Sequence, residues 1–358
     1  MKIYRVIGLM SGTSLDGIDV ALLRTDGEEH IECEAFLTVP YDDKLRSEIR
    51  ACFGTPPEQL GRTEGAARAL TVAHAEAVHE LLEKRRVRPD DVDLIGFHGQ
   101  TVSHAPDKGW TCQIGDGALM ASMTGITVVN DFRTADVRAG GQGAPLVPVY
   151  HQALADKLEK PVVFLNIGGV ANVTYVGRKG ELIAFDTGPG NALIDDWMLR
   201  KTGSKFDAEG KIALSGKVDE AVLKELLSHP YFSAVPPKSL DRNAFVSQAW
   251  EKLSVADGAA TLSAFTVQSI VLACSHFPGQ PKQWIVAGGG RKNRFLMEQL
   301  EKRLNAPVSS IDKLGLNGDA IEAEAFGYLA VRSVKGLPIS FPKTTGAKKP
   351  MTGGKLHE

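Results

Sequence analysis

Short apolar runs ending in small-residue turns alternate along this chain with longer stretches of helical period. Ile3 to Leu9 reads as a strand, Ser11-Gly-Thr-Ser14 as a turn and Ile18 to Leu23 as a second strand, which together predict a hairpin. Between Thr63 and Arg86 the apolar positions Ala66, Leu70, Ala73, Ala77 and Leu81 keep one helical face against a core. Pro89-Asp90 ends that helix, and Leu94 to Phe97 and Ile126 to Val129 are further strands. Ala139 to Pro148, with Gly140-Gly-Gln-Gly-Ala-Pro145, is either an interdomain crossing or an ordered active-site loop.

The pattern then restarts. Pro161 to Leu165 is strand-like, Asn166-Ile-Gly-Gly169 is a turn and Asn172 to Val176 is a strand, a weak echo of the first hairpin. Ala259 to Cys274 is apolar almost all round and reads as a buried helix. Trp284 to Ala287 is a strand, followed by Gly288-Gly-Gly290 and a helix capped by Asn293 with Leu296, Leu300 and Leu304 on one face. Asp319 to Val334 is the last long helix. The alternation predicts an α/β fold, with a mixed sheet flanked by helices in each half.

Composition narrows the function without naming it. The 358 residues are 43% apolar and 23% charged, with a net charge of -2. A nucleic-acid or anionic-membrane binder would show a basic stripe, so neither partner is expected. The cysteines Cys33, Cys52, Cys112 and Cys274 are dispersed without metal or disulfide spacing, which suits a reducing cytoplasm. The N-terminus has no small-residue cleavage site, and no uninterrupted apolar run approaches the roughly 20 residues of a membrane span.

Three turns could carry chemistry. Ser11-Gly-Thr-Ser-Leu-Asp-Gly-Ile-Asp19 is too long for a minimal hairpin; its backbone N–H groups and hydroxyls suit a phosphate, and Asp16 or Asp19 a Mg²⁺-bound water. The alternative is a plain hairpin turn. Asp186-Thr-Gly-Pro-Gly-Asn191 places a carboxylate at a strand end, and the following helix, Ala192 to Lys201, offers its N-terminus to a phosphate. Asp186 could equally be a turn-former. Ala287-Gly-Gly-Gly-Arg-Lys-Asn293 suits adenine or ribose lying on the backbone; it is neither a dinucleotide fingerprint nor a Walker A motif. His98-Gly-Gln-Thr-Val-Ser-His104 is a polar substrate-facing loop before it is a metal pair. Arg133 either grips a carboxylate or phosphate or makes a surface ion pair. Glu322, three residues after Asp319, is either catalytic or part of a helix capping box.

These residues resemble a known family. Gly8-Leu-Met-Ser-Gly-Thr-Ser-Leu-Asp-Gly-Ile-Asp19, Gly96-Phe-His-Gly-Gln-Thr101, Asn130-Asp-Phe-Arg133, Asn166-Ile-Gly-Gly-Val-Ala-Asn172, Asp186-Thr-Gly-Pro-Gly-Asn191, Pro236-Pro-Lys-Ser239 and Thr344-Thr-Gly-Ala347 resemble, in order, the signatures of anhydro-N-acetylmuramic acid kinases. The resemblance implies the actin-like ATPase fold (ribonuclease H-like lobes) with ATP between the lobes. The expected lobes are residues 1–134 and 135–358, with the C-terminal helix able to pack back on the first.

It further implies that ATP and water convert 1,6-anhydro-N-acetylmuramic acid to N-acetylmuramic acid 6-phosphate, in peptidoglycan recycling, by a cytoplasmic homodimer. Asp186 would be the base and Glu322 a second acid. Gly12, Thr13, Ser14, Leu15, Asp16, Gly17, Ile18, Asp19, Asn166, Gly168, Gly169, Gly188, Gly288, Gly289, Gly290 and Asn293 would hold MgATP. Ser14, His98, Gln100, Thr101, Arg133 and Asp186 would face the sugar. The competing readings are a kinase of the same superfamily acting on a free hydroxyl of a sugar or carboxylate, and a nucleotide-switched ATPase without a small substrate.

Overall fold

The computed structural model describes residues 2–240, 245 and 249–358. The chain forms two compact units, Met1–Asp156 with Ala320–Glu358, and Lys157–Asp319. The chain thus leaves the first unit after Asp156, not at the boundary after residue 134 that the sequence suggests, and it returns at Ala320.

The first unit opens with β1 (Tyr4–Met10), β2 (Gly17–Thr25) and β3 (Ile31–Pro40), followed by helices α1 (Asp43–Ala51) and α2 (Glu64–Arg85). Next come β4 (Leu94–Phe97), the small β5–β6 ribbon (Gln100–Ala105 and Trp110–Ile114), α3 (Gly117–Thr124) and β7 (Val128–Asn130). The second unit holds β8 (Val162–Ile167), β9 (Val170–Val176), β10 (Leu182–Pro189), α4 (Ala192–Thr202), α5 (Val255–Ala273), β11 (Gln283–Ala287), α6 (Arg294–Arg303) and β12 (Val308–Ser310). The returning segment adds α7 (Ile321–Val334) and β13 (Lys355–His357) to the first unit.

Both sheets are mixed and share one plan. In the first, the order is β13-β7-β4-β1-β2-β3; β1, β2 and β3 pair antiparallel, while β1–β4 and β4–β7 are parallel. In the second, the order is β10-β9-β8-β11-β12; β8, β9 and β10 pair antiparallel, while β8–β11 and β11–β12 are parallel. The weak sequence echo is therefore a duplicated topology: a three-strand meander followed by two parallel strands.

Glycines set how closely α7 lies on the first sheet. A Cβ on Gly8 would overlap the Ala323 carbonyl, and one on Gly96 would overlap the Phe326 carbonyl. Only strands without side chains at these two points let the helix backbone rest on them. In the second unit, Val255–His276 is long and apolar enough to cross a membrane by length and composition, although polar residues interrupt its apolar run. Its faces are occupied instead: Phe265, Val267 and Ile270 are buried in the core of that unit with Trp197 and Trp284. The tail from Lys343 to Lys355 is ordered, with a bridge from Ser340 to Met351 and β13 paired antiparallel to β7.

Candidate active site

In the first unit the long turn after β1 presents its polar residues to solvent. Thr13, Ser14 and Asp16 are exposed, whereas Leu15, Gly17 and Ile18 are buried and offer no side chain to a ligand. Leu15 has φ 58, a left-handed conformation rare for a branched apolar residue, closed by its N–H donating to the Gly12 carbonyl at 3.1 Å. Beyond the turn, Asp19 accepts from Thr38 Oγ1 at 2.6 Å. Glu322, in the first turn of α7, is raised above the usual carboxylate range by the protein around it and by the charge of Asp19, while Arg133 opposes the shift. This side chain remains open to solvent. The capping-box alternative for Glu322 fails: α7 is preceded by Ala320 without a side-chain cap, and Asp319 is taken by Arg291 and Lys292.

His98, Gln100 and Arg133 form support layers. His98 is buried, its Nδ1 facing the Gly99 carbonyl at 2.8 Å and its Nε2 accepting from Arg133 Nε at 3.0 Å. Burial and the adjacent guanidinium hold its pKa well below the ordinary histidine value, consistent with a neutral ring that accepts at Nε2. Arg133 also donates to the Gly143 carbonyl at 2.8 Å, and burial lowers it to about 10. Among the described residues it makes no surface ion pair, and N–H groups of its fork remain for a ligand. Gln100 is fully buried and accepts from Ser11 Oγ at 2.6 Å; Thr101 is half-buried and accepts from Gln113 Nε2 at 3.2 Å. Gln100 Nε2 donates to the Thr101 carbonyl at 3.3 Å, and His98 both holds Arg133 and lines the cavity described below. Of the two readings of the Ala139–Pro148 loop, the crossing falls, because the loop lies within the first unit. Buried Asp136 holds it through the Gly143 N–H at 2.7 Å, and also accepts from Thr345 Oγ1 at 2.7 Å and from Ser340.

Beside these residues the first unit has a cavity of about 370 Å³ lined in part by Gln113, Asp116, Asn130, Asp131, Lys355 and His357. Amides, carboxylates and an imidazole of this kind suit a polyhydroxylated ligand. Sequence reasoning missed His357, whose Nε2 lies 2.9 Å from Asn130 Oδ1, because nothing in the tail pointed to pairing with β7.

In the second unit Asp186 ends the regular part of β10, where the register with β9 shifts between Asp186 and Gly188. Its Oδ2 accepts from the Leu240 N–H at 2.8 Å, and its carbonyl from Tyr231 O–H at 2.6 Å. The Lys238 carbonyl accepts from the Asp186 N–H at 3.1 Å, so the Pro236-Pro-Lys-Ser239 signature lies directly against it. The carboxyl is half-buried, and its enclosure pushes it up to about 7 against the pull of the Leu240 N–H. A carboxyl that titrates near neutrality at a strand end suits proton transfer at physiological pH.

The three glycine turns of this unit meet. Asn191 N–H donates to the Gly168 carbonyl at 2.7 Å, Gly190 N–H to that of Gly169 at 2.9 Å, and Asn191 Nδ2 to that of Ile167 at 2.9 Å. A Cβ on Gly288 (φ +73) would overlap Asn166 Oδ1, and one on Gly290 would overlap Ile167. Gly289 alone of the triplet is exposed and open. Gly188 is buried against Ser269, so its expected nucleotide contact becomes a packing role. A cavity of about 290 Å³ lies here, lined by Asn191, Phe206, Glu209, Gly289, Lys292 and Asn293 among others. Asn293 also caps α6 through the Leu296 N–H at 3.2 Å. Phe206, 60% exposed, was missed, although a lone aromatic in the polar stretch Thr202 to Asp207 was its signal. Among the described residues no cluster of three or more His, Cys, Asp or Glu could hold a metal by itself.

The whole chain has relatives. A family profile described as anhydro-N-acetylmuramic acid kinase matches residues 4–358. An anhydro-N-acetylmuramic acid kinase of Rhizorhabdus wittichii is 55% identical over 98% of this chain and 98% of its own. One of Rhodospirillum rubrum is 53% identical over 97% of this chain and 92% of its own. Among solved structures, the activator of 2-hydroxyisocaproyl-CoA dehydratase from Clostridium difficile with bound ADPNP superposes at a TM-score of 0.48 and 12% identity, covering 93% of this chain and 96% of that one. A ROK family glucokinase from Streptomyces griseus in complex with glucose and AMPPNP gives 0.42 and 16%, covering 91% and 99%. With seven signatures in order and a match from Tyr4 to the end of the chain, the chain belongs to the anhydro-N-acetylmuramic acid kinase family and is an enzyme of that activity.

Proposed function

We propose that Asp186 is the base that activates water in the ATP-dependent conversion of 1,6-anhydro-N-acetylmuramic acid to N-acetylmuramic acid 6-phosphate. The observation that carries this is its carboxyl, held by one backbone N–H and pushed up to about 7. Water gives its proton to Asp186 and its oxygen to the anomeric carbon. The bond from that carbon to O6 breaks, as in an inverting glycosidase. O6 then takes the γ-phosphoryl group, and ADP leaves.

In the first unit the turn Gly12 to Asp19 suits a phosphate by its backbone N–H groups and hydroxyls, with Ser14 also offered to the sugar; in the second unit the turn Asn166 to Gly169 suits a phosphate likewise. Gly288, Gly289 and Asn293 receive the adenosine, with the face of Phe206 beside it. Arg133 offers its remaining N–H groups to the substrate carboxylate. Hard oxygen donors suit Mg²⁺. The exposed carboxylate of Asp16, and Glu322, whose pKa is raised by the protein around it and by the charge of Asp19, fit such an ion bound with ATP. When bound, it would neutralise charge on the transferring phosphoryl. Four free cysteines agree with a cytoplasmic place in peptidoglycan recycling, and a homodimer is the expected assembly.

The test is mass spectrometry of the product formed from the anhydro-sugar and MgATP in ¹⁸O-labelled water. A 6-phosphate carrying label at C1 is expected. An unlabelled product, or a phosphorylated sugar that keeps its anhydro ring, would refute the water mechanism.

A further inference from the structure

The turn after β1 is held from outside by two residues with no place in the scheme above. Tyr41, just past the end of β3 and only 4% exposed, donates its O–H to Ser11 Oγ at 2.7 Å. Ser11 in turn donates to Gln100 Oε1 at 2.6 Å. This buried chain fixes the first residue of the turn to the β4–β5 segment. At the other end, Arg46 on α1 donates from Nε to the Leu15 carbonyl at 3.1 Å and from Nη2 to the Tyr41 carbonyl at 2.8 Å. The Tyr41 N–H reaches the Asp16 carbonyl at 3.4 Å. Leu15 is the residue in the left-handed conformation, which costs free energy unless its surroundings enforce it.

We infer that Tyr41 and Arg46 are positioning residues that clamp the phosphate turn, Tyr41 at Ser11 and Arg46 at the Leu15 carbonyl. The guanidinium fork reaches the two carbonyls from separate nitrogens, Nε and Nη2, a geometry the single nitrogen of lysine does not reproduce. With the Leu15 carbonyl pinned, the peptide plane after Leu15 keeps its direction, and with it the turn that presents the exposed Thr13 and Ser14 hydroxyls. Without the clamp the turn relaxes, and the phosphoryl group loses alignment although no direct contact has been removed.

This inference rests on the phosphate role of the turn, so the experiment carries a control for that role. Ser14→Ala tests the turn itself, and Tyr41→Phe, Arg46→Ala and Arg46→Lys test the clamp. The readouts are kcat/KM for MgATP, KM for the anhydro-sugar and the thermal midpoint. We expect Tyr41→Phe, which loses one buried hydrogen bond, to lower kcat/KM for MgATP roughly tenfold, and Arg46→Ala, which loses the two bonds to the Leu15 and Tyr41 carbonyls, to lower it by roughly tenfold or more. Arg46→Lys should fall between Arg46→Ala and wild type, with the sugar KM and the thermal midpoint close to wild type throughout. If Ser14→Ala impairs ATP use while all clamp variants keep wild-type values, the clamp is overturned and the turn reading stands. Equal losses toward ATP and sugar would also overturn it. If Ser14→Ala has no effect, the phosphate reading falls and the clamp with it. Should Arg46→Ala fail to fold, Tyr41→Phe and Arg46→Lys carry the same test.

Discussion

Replacing Asp186 by asparagine separates two consequences of one buried carboxyl. The amide keeps an oxygen for the Leu240 N–H, so the local fold should survive. It cannot take a proton from water, and loss of a general base costs roughly 10²–10⁴ in rate, so kcat should fall by about a thousandfold with ATP binding near normal. The same substitution should raise stability. Burial pushes the folded Asp186 carboxyl up to about 7 from the 3.8 of an ordinary, solvated aspartate. Between those two values the folded chain binds its proton more tightly than the unfolded chain, so stability falls as pH rises through this window. Three pH units at about 1.4 kcal/mol each give about 4 kcal/mol. The residual solvent contact of a half-buried group reduces this to about 2 kcal/mol. Asp186→Asn should therefore gain about that much over wild type at pH 8 and almost nothing near pH 3.5. The assay pairs pH-resolved urea unfolding with the pH dependence of kcat/KM, which should rise through about pH 7 in the wild type as the carboxyl ionises. A flat profile from pH 5.5 to 8.5, or a variant keeping a tenth of the activity, would refute Asp186 as the base.

Gly289→Val should spare the fold, since a Cβ there would meet only Asn191 Nδ2 at 3.7 Å, and should weaken ATP binding by about tenfold or more in calorimetry; unchanged affinity would remove the adenosine assignment. Glu322→Gln should lower kcat by roughly 10–100-fold at near-normal KM for ATP; normal turnover would leave Glu322 without a catalytic part. Gly8→Ala should destabilise the first unit by about 1–3 kcal/mol or more, because its methyl overlaps the Ala323 carbonyl; a wild-type urea midpoint would show that α7 can lift without cost.

Local features were legible where residue type forces geometry. The hairpin of β1 and β2, the buried α5, the Asn293 cap and the strand-end position of Asp186 all follow from short-range pattern. What stayed hidden depends on partners distant in sequence. Strand β3 lies at the sheet edge with mixed exposure and shows no clean alternation, while β12 and β13 are three residues each. The Gly/Pro loop suggests a crossing, but its glycines serve the turn around Asp136, whereas the actual crossing after Asp156 has no unusual composition. His98 and Arg133 are 35 residues apart, and no spacing rule announces that one ring nitrogen serves the other's guanidinium. Asp319 and Glu322 have capping-box spacing, yet Arg291 claims Asp319 first.

The insertion of Lys157–Asp319 into the first unit also sets an order of events during synthesis. As the chain leaves the ribosome, β7 still lacks β13, and the bare backbone at Gly8 and Gly96 still lacks α7. An unfinished sheet of that kind exposes both a pairing edge and an apolar face. The inserted unit meanwhile carries the five strands of its own sheet within one stretch of chain. The part of the protein made first is the part that finishes folding last.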